Sequence, residues 1–112
     1  MTKATFIKRN GIYTGFDVKG HSGFADSGED IVCAAISALT INTVNSIDEF
    51  TDDAIEAFSE DGLLTARLIT VNDSAAQVLM KALVLGLENI QEEYGKKYLK
   101  VDYKEETQNV KA

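Results

Sequence analysis

The chain has 112 residues, with 18 acidic and 11 basic side chains and a net charge of −7. At 45% hydrophobic and 26% charged residues the composition is that of one small globular domain, which excludes disorder of the whole chain. One cysteine and one histidine exclude an internal disulfide, and they exclude a zinc site built from Cys and His alone. The acidic balance argues against direct nucleic-acid binding and favours a basic partner.

The apolar stretches read as shorter than a bilayer span requires, and the N-terminal residues lack the apolar core of a signal peptide. The expected location is therefore the cytoplasm, with no membrane partner. Residues 5–9 and 12–18 flank Asn10-Gly11, the pair best suited to the positive φ angles of a two-residue hairpin turn. Alternation in the second arm puts Ile12, Thr14, Phe16 and Val18 on one face and Tyr13, Gly15 and Asp17 on the other. Residues 19–28 carry Gly20, Gly23 and Gly28 among small polar side chains and read as a loop.

From Glu29 to about Asn45 the apolar residues cover much of a helix circumference, and either Ser27 or Asp30 is placed to cap its start. Residues 46–53 read as an acidic connector. Residues 54–60 and 63–69 alternate around Asp61-Gly62, a second hairpin signal. A second helix follows Asn72-Asp73, with Ala76, Leu79, Met80, Leu83, Leu87, Ile90 and Tyr94 in a stripe and Gly95 placed to end it. Met80, Leu83 and Leu87 are read as core in the first place, although the stripe also suits a dimer surface. Residues 98–104 alternate again, and 105–112 are expected to fray. The order ββαββαβ implies an α+β fold, a mainly antiparallel sheet with two helices packed on it, in a single domain over residues 1–104.

Cys33 is the one nucleophile with an activating context. It sits near a helix start, where free backbone N–H groups favour a thiolate and can receive an oxyanion, and the only histidine, His21, lies in the preceding loop. Taken alone, a free cysteine among Val32, Ala34 and Ala35 is more often a small buried hydrophobe. Asp30 and Ser37 share the face of Cys33 at i−3 and i+4, either as partners of the site or as a helix cap and a hydroxyl bonded back to the Cys33 carbonyl.

Gly20-His21, a short loop closing on Gly28, and Asp30-Ile31-Val32-Cys33-Ala34-Ala35-Ile36-Ser37 together form a specific pattern. It resembles the Prp family of bacterial ribosomal-processing cysteine proteases. The resemblance implies a cysteine endopeptidase that removes a short N-terminal extension from a large-subunit ribosomal protein near the peptidyl-transferase centre, working through a Cys-His dyad and a thioester acyl-enzyme without a cofactor. It also implies a homodimer. The catalytic pair falls on His21 and Cys33, and the supporting positions fall on Gly20, Asp30 and Ser37. Where many members have alanine after the histidine, this chain has Ser22. Phe24 in the loop is expected either to help hold the substrate peptide or to anchor the loop on its own core. The competing reading is a non-catalytic ribosome-associated binding or assembly factor in which Cys33 is structural.

Overall fold

Residues 1–26 and 28–106 are described by a computed structural model. Asn10 and Gly11 take φ of 53° and 78°, as expected for the tight turn, and join β1 (Thr2–Arg9) to β2 (Ile12–Lys19). The second hairpin pairs β3 (Ile55–Glu60) with β4 (Leu63–Leu68), and the last strand is β5 (Leu99–Glu105). The sheet order is β3-β4-β2-β1-β5, antiparallel except for the parallel pair β1 and β5. Helices α1 (Ile31–Phe50) and α2 (Ser74–Tyr94) pack on this sheet, so the α+β fold and the ββαββαβ order are as expected.

The first turn of β2 departs from simple alternation. Ile7 pairs with Gly15 but Lys8 pairs with Tyr13, so Thr14 is an extra residue and the strand changes phase there. Tyr13 therefore turns inward, its ring edge-on to Phe6 at 6.0 Å, while Ile12 is exposed, the reverse of the expected faces. The α2 side chain Gln77 satisfies the bulged backbone, accepting from Tyr13 N–H at 2.9 Å and donating to its carbonyl at 2.8 Å.

Phe6 and Phe16, directly opposite each other, are fully buried with Val32, Ile47, Met80 and Leu87. Burying side chains of this size stabilises the fold by about 2–3 kcal/mol each. Met80, Leu83 and Leu87 are thus core.

Helix α1 begins two residues later than expected and runs five residues further, into the stretch read as a connector. Nothing between Ser46 and Phe50 breaks a helix, and Ile47, 0% exposed, continues the buried stripe of Val32, Ile36, Thr40 and Thr43. The longer helix is uncharged over most of its length, and by length and composition alone it is apolar enough to cross a membrane, contrary to the expectation that every apolar stretch falls short. Its buried stripe packs within the domain core. Asp30 is the N-cap, its side chain accepting from Cys33 N–H; Ser27, the alternative, lies outside the described residues.

Helix α2 is capped by Asp73, which accepts from Ala75 N–H at 2.8 Å, and ends at Gly95 with φ 103°. The stretch between α1 and β3 is tied to the start of α2 through Asp53, 4% exposed, whose carboxylate accepts from Asn72 N–H, Asp73 N–H and the Thr70 hydroxyl. Burial opposes its charge, but these three donors outweigh burial and hold the carboxyl below its ordinary pKa. At the other end β5 includes Glu105, and Glu106 N–H donates to the Lys8 carbonyl at 2.7 Å. Of the segment expected to fray, residues 107–112 lie outside the described residues.

Candidate active site

The site forms where β2 ends. Pairing of β2 with β4 matches Lys19 to Leu63, so the chain leaves the sheet beside the β3–β4 turn at Asp61-Gly62. Gly20 N–H donates to the Gly62 carbonyl at 2.8 Å, with φ of 89°. A Cβ on Gly20 would lie 2.6 Å from the Met1 carbonyl oxygen, so both the backbone angle and the space require glycine. His21 follows at once and is carried onto the turn.

The loop then folds over the start of α1 around one carboxylate. Asp30 Oδ1 accepts from Cys33 N–H at 2.9 Å, and Oδ2 accepts from the Ser22 hydroxyl and from Phe24 N–H at 3.1 Å. Burial works against the Asp30 charge, yet the hydrogen bonds from Ser22, Cys33, Phe24 and Ala25 prevail and hold its carboxyl below the ordinary value. Ser22 is 1% exposed, and its N–H donates to Cys33 Sγ at 3.3 Å. Cys33 as a residue is half-buried.

His21 and Cys33 line the same two adjoining clefts, of about 270 and 510 Å³. The first continues past Ser37, Thr40 and Ile41 on α1 and Ser59 to Leu64 on the hairpin; the second continues past Gly23, Ala25, Gly28 and Asp30. Among the described hydrogen bonds none joins the imidazole to the thiol. The His21 ring is exposed, with Nε2 3.5 Å from Asp61 Oδ1. Among the described residues, no group of three or more His, Cys, Asp or Glu side chains converges as a metal cage.

Each expected site residue thus has a place. Gly20, His21, Cys33 and Ser37 line the first cleft, and Asp30 lines the second. Ser37 is exposed, and among the described hydrogen bonds none joins its hydroxyl to the Cys33 carbonyl. Asp30 serves the cap and the loop, and the carboxylate beside His21 is that of Asp61. Two N–H groups of α1 expected to receive an oxyanion are already engaged, Cys33 with Asp30 Oδ1 and Ala34 with the Asp30 carbonyl at 3.1 Å. The donor beside the sulfur is instead Ser22 N–H. Phe24 sits edge-on to Tyr94 at 5.5 Å and Tyr98 at 5.2 Å and is not among the residues lining either cleft.

The family model for cysteine protease Prp matches residues 1–100. The chain belongs to that family. Prp of Staphylococcus aureus is 29% identical over 100 residues, covering 88% of this chain and 93% of the relative, and Prp of Bacillus subtilis is 28% identical over 85 residues, covering 70% and 76%. Both are named ribosomal processing cysteine proteases.

Solved Prp structures agree with the fold. S. aureus Prp with a covalently linked product peptide superposes with a TM-score of 0.88 at 28% identity, covering 93% of this chain and 100% of that one. A Streptococcus mutans protein superposes at 0.78 with 31% identity, covering 95% and 96%. The protein is a cysteine protease, and its only cysteine lies in the cleft with its only histidine.

Sequence reasoning missed Asp61 and Ser22. Asp61 carries a legible local signal, that of a turn former before glycine, which hid its position next to His21. Ser22 was noted only as a departure from alanine, and its spacing of eight from Asp30 fits no local rule.

Proposed function

We propose that this protein is an endopeptidase that removes the short N-terminal extension of a bacterial large-subunit ribosomal protein, with Cys33 as nucleophile and His21 as general base and acid. The observation that carries the reading is the shared cleft of His21 and Cys33 in a chain of this family. The relatives' names, ribosomal processing cysteine protease, supply the substrate class.

In this mechanism His21 accepts the Cys33 proton, and the thiolate attacks the scissile carbonyl. The oxyanion forms beside Sγ, where Ser22 N–H, which donates to the sulfur at 3.3 Å, can turn to it as a backbone donor. The tetrahedral intermediate collapses as His21 returns the proton to the leaving amine, which departs as the new N-terminus of the ribosomal protein. The extension remains as a thioester on Cys33. Water, deprotonated by His21, then releases it as a carboxylate and restores the thiol.

The net charge of −7 speeds encounter with a basic ribosomal protein, an effect that salt weakens. Such a substrate places the activity in the cytoplasm. A homodimer belongs to the same reading, and Val78 and Leu85, exposed on α2, are side chains available to its interface.

Mass spectrometry of an extended ribosomal protein after incubation tests the proposal. Loss of the extension with wild type, and its retention with Cys33→Ala, is the expected result. Equal binding of both to an uncut substrate would instead establish the assembly-factor reading.

A further inference from the structure

We propose that Asp61, on the β3–β4 turn, is a positioning residue for the reaction: its carboxylate holds Nε2 of His21, leaving Nδ1 to serve the Cys33 sulfur. The inference rests on the cysteine-protease reading of this cleft and adds a third side chain to it.

Four observations converge on this turn. Asp61 Oδ1 lies 3.5 Å from His21 Nε2. Gly62 borders the same ring, since a Cβ there would sit 3.2 Å from Nε2 and 3.7 Å from Cδ2, so the imidazole rests against the turn backbone. The bond from Gly20 N–H to the Gly62 carbonyl, 2.8 Å, pins the residue before His21 to that backbone. Asp61 also lines both clefts that contain Cys33 and His21, so it belongs to the site by position.

Of the other two carboxylates lining the clefts, Asp30 is committed elsewhere, because both its oxygens accept hydrogen bonds from the loop and from α1, and Glu60 lines the first cleft only, with no ion pair to His21 among the described residues. Asp61 has no such commitment among the described hydrogen bonds. An imidazole that gives one N–H to a carboxylate keeps its other nitrogen bare, which is the form that accepts a thiol proton. After transfer, the carboxylate faces a cationic ring. The charge then stabilises the thiolate–imidazolium pair and the transition state that follows, and it contributes little to holding substrate.

Both partners are exposed, which keeps the effect small. An exposed ion pair contributes up to about 1 kcal/mol, equivalent to about a fivefold change in rate. Asp61→Ala and Asp61→Asn are to be compared with wild type in cleavage of an extended ribosomal protein and in alkylation of Cys33 by iodoacetamide without substrate. The expected result is a kcat about fivefold lower for Asp61→Ala with KM unchanged, and a parallel fall in alkylation rate. Asp61→Asn keeps an acceptor without the charge and should fall between. Added salt should lower the wild-type rate toward that of Asp61→Asn, because screening weakens the exposed pair.

Asn is as good a turn residue as Asp, so Asp61→Asn keeps the hairpin and decides the matter if Asp61→Ala misfolds. Unchanged kcat and unchanged alkylation in a folded Asp61→Asn would overturn the proposal. A rise in KM alone would overturn it too, by making Asp61 a substrate contact. Alkylation needs no substrate, so failure to cut any ribosomal protein would count against the proposed function and leave this reading to stand or fall on the alkylation rates.

Discussion

Replacing Asp30 should loosen the active-site loop and the start of α1 together, because one carboxylate holds both. Asp30→Ala removes the helix cap on Cys33 N–H, which costs about 1 kcal/mol. It also deprives the buried Ser22 hydroxyl of its acceptor and leaves Phe24 N–H only its longer contact with Ser22 Oγ at 3.3 Å. Each lost bond to a charged group costs about 1 kcal/mol or more after allowing for water that reaches the loop. The total is about 3 kcal/mol, a large share of the stability of a domain this size. Asp30→Asn still caps the helix and should lose only about 1 kcal/mol.

Urea denaturation at neutral pH measures both values. The pH dependence is a second handle. The Asp30 carboxyl is held below its unfolded value of 3.8, so between the two values the unfolded chain binds more protons than the native one. Its contribution is therefore complete above the unfolded value and fades as pH falls through the folded one. The wild-type advantage over Asp30→Asn should shrink across that acid window. A loss under 0.5 kcal/mol for Asp30→Ala, or an advantage that survives at the acid end, would refute the claim that this carboxylate organises the loop.

Asp53→Ala should cost about 3 kcal/mol in urea denaturation, because it strands two backbone N–H groups and the Thr70 hydroxyl, and Asp53→Asn should cost less. Since the Asp53 carboxyl is also held low, its share should likewise be lost only as pH falls through the acid range. Gly20→Ala should be destabilised by about 1–3 kcal/mol and cleave more slowly, since it meets φ of 89° and the Met1 carbonyl at 2.6 Å; a stable, fully active variant would contradict that reading. Phe24→Ala should cost about 1 kcal/mol and raise hydrogen exchange in the loop, whereas a higher KM with unchanged exchange would make Phe24 a peptide contact.

Local chemistry explains which parts of this molecule were legible in the sequence. Asn10-Gly11 and Asp61-Gly62 marked both hairpins because turn preference depends on the turn residues themselves. The order β3-β4-β2-β1-β5 carries no such local signal. Neither does the bulge at Thr14, which exists only in the pairing of β2 with β1 and turns Tyr13 and Ile12 over. The end of α1 was hidden by Asp48 and Glu49, exposed side chains that resemble a connector until Ile47 is seen to extend the buried stripe.

At the site, the cysteine and histidine were visible by identity and motif, and a helix start beside Cys33 was expected from the capping residues. The carboxylate next to His21 was not. Asp61 arrives through the pairing of Lys19 with Leu63, a contact made across the sheet. Ser22 was visible only as a departure from alanine, and its bonds to Asp30 and Cys33 depend on how the loop folds.

In the proposed chemistry Cys33 attacks the scissile carbonyl with His21 as its base. Intact-mass analysis of the enzyme in an acid-quenched single turnover on an extended ribosomal protein tests it directly. The expected result is a transient adduct with the mass of the extension, on Cys33, absent from Cys33→Ala and formed about 100-fold or more slowly by His21→Ala. Cleavage by Cys33→Ala at the wild-type rate, or an adduct that forms equally fast without His21, would contradict it.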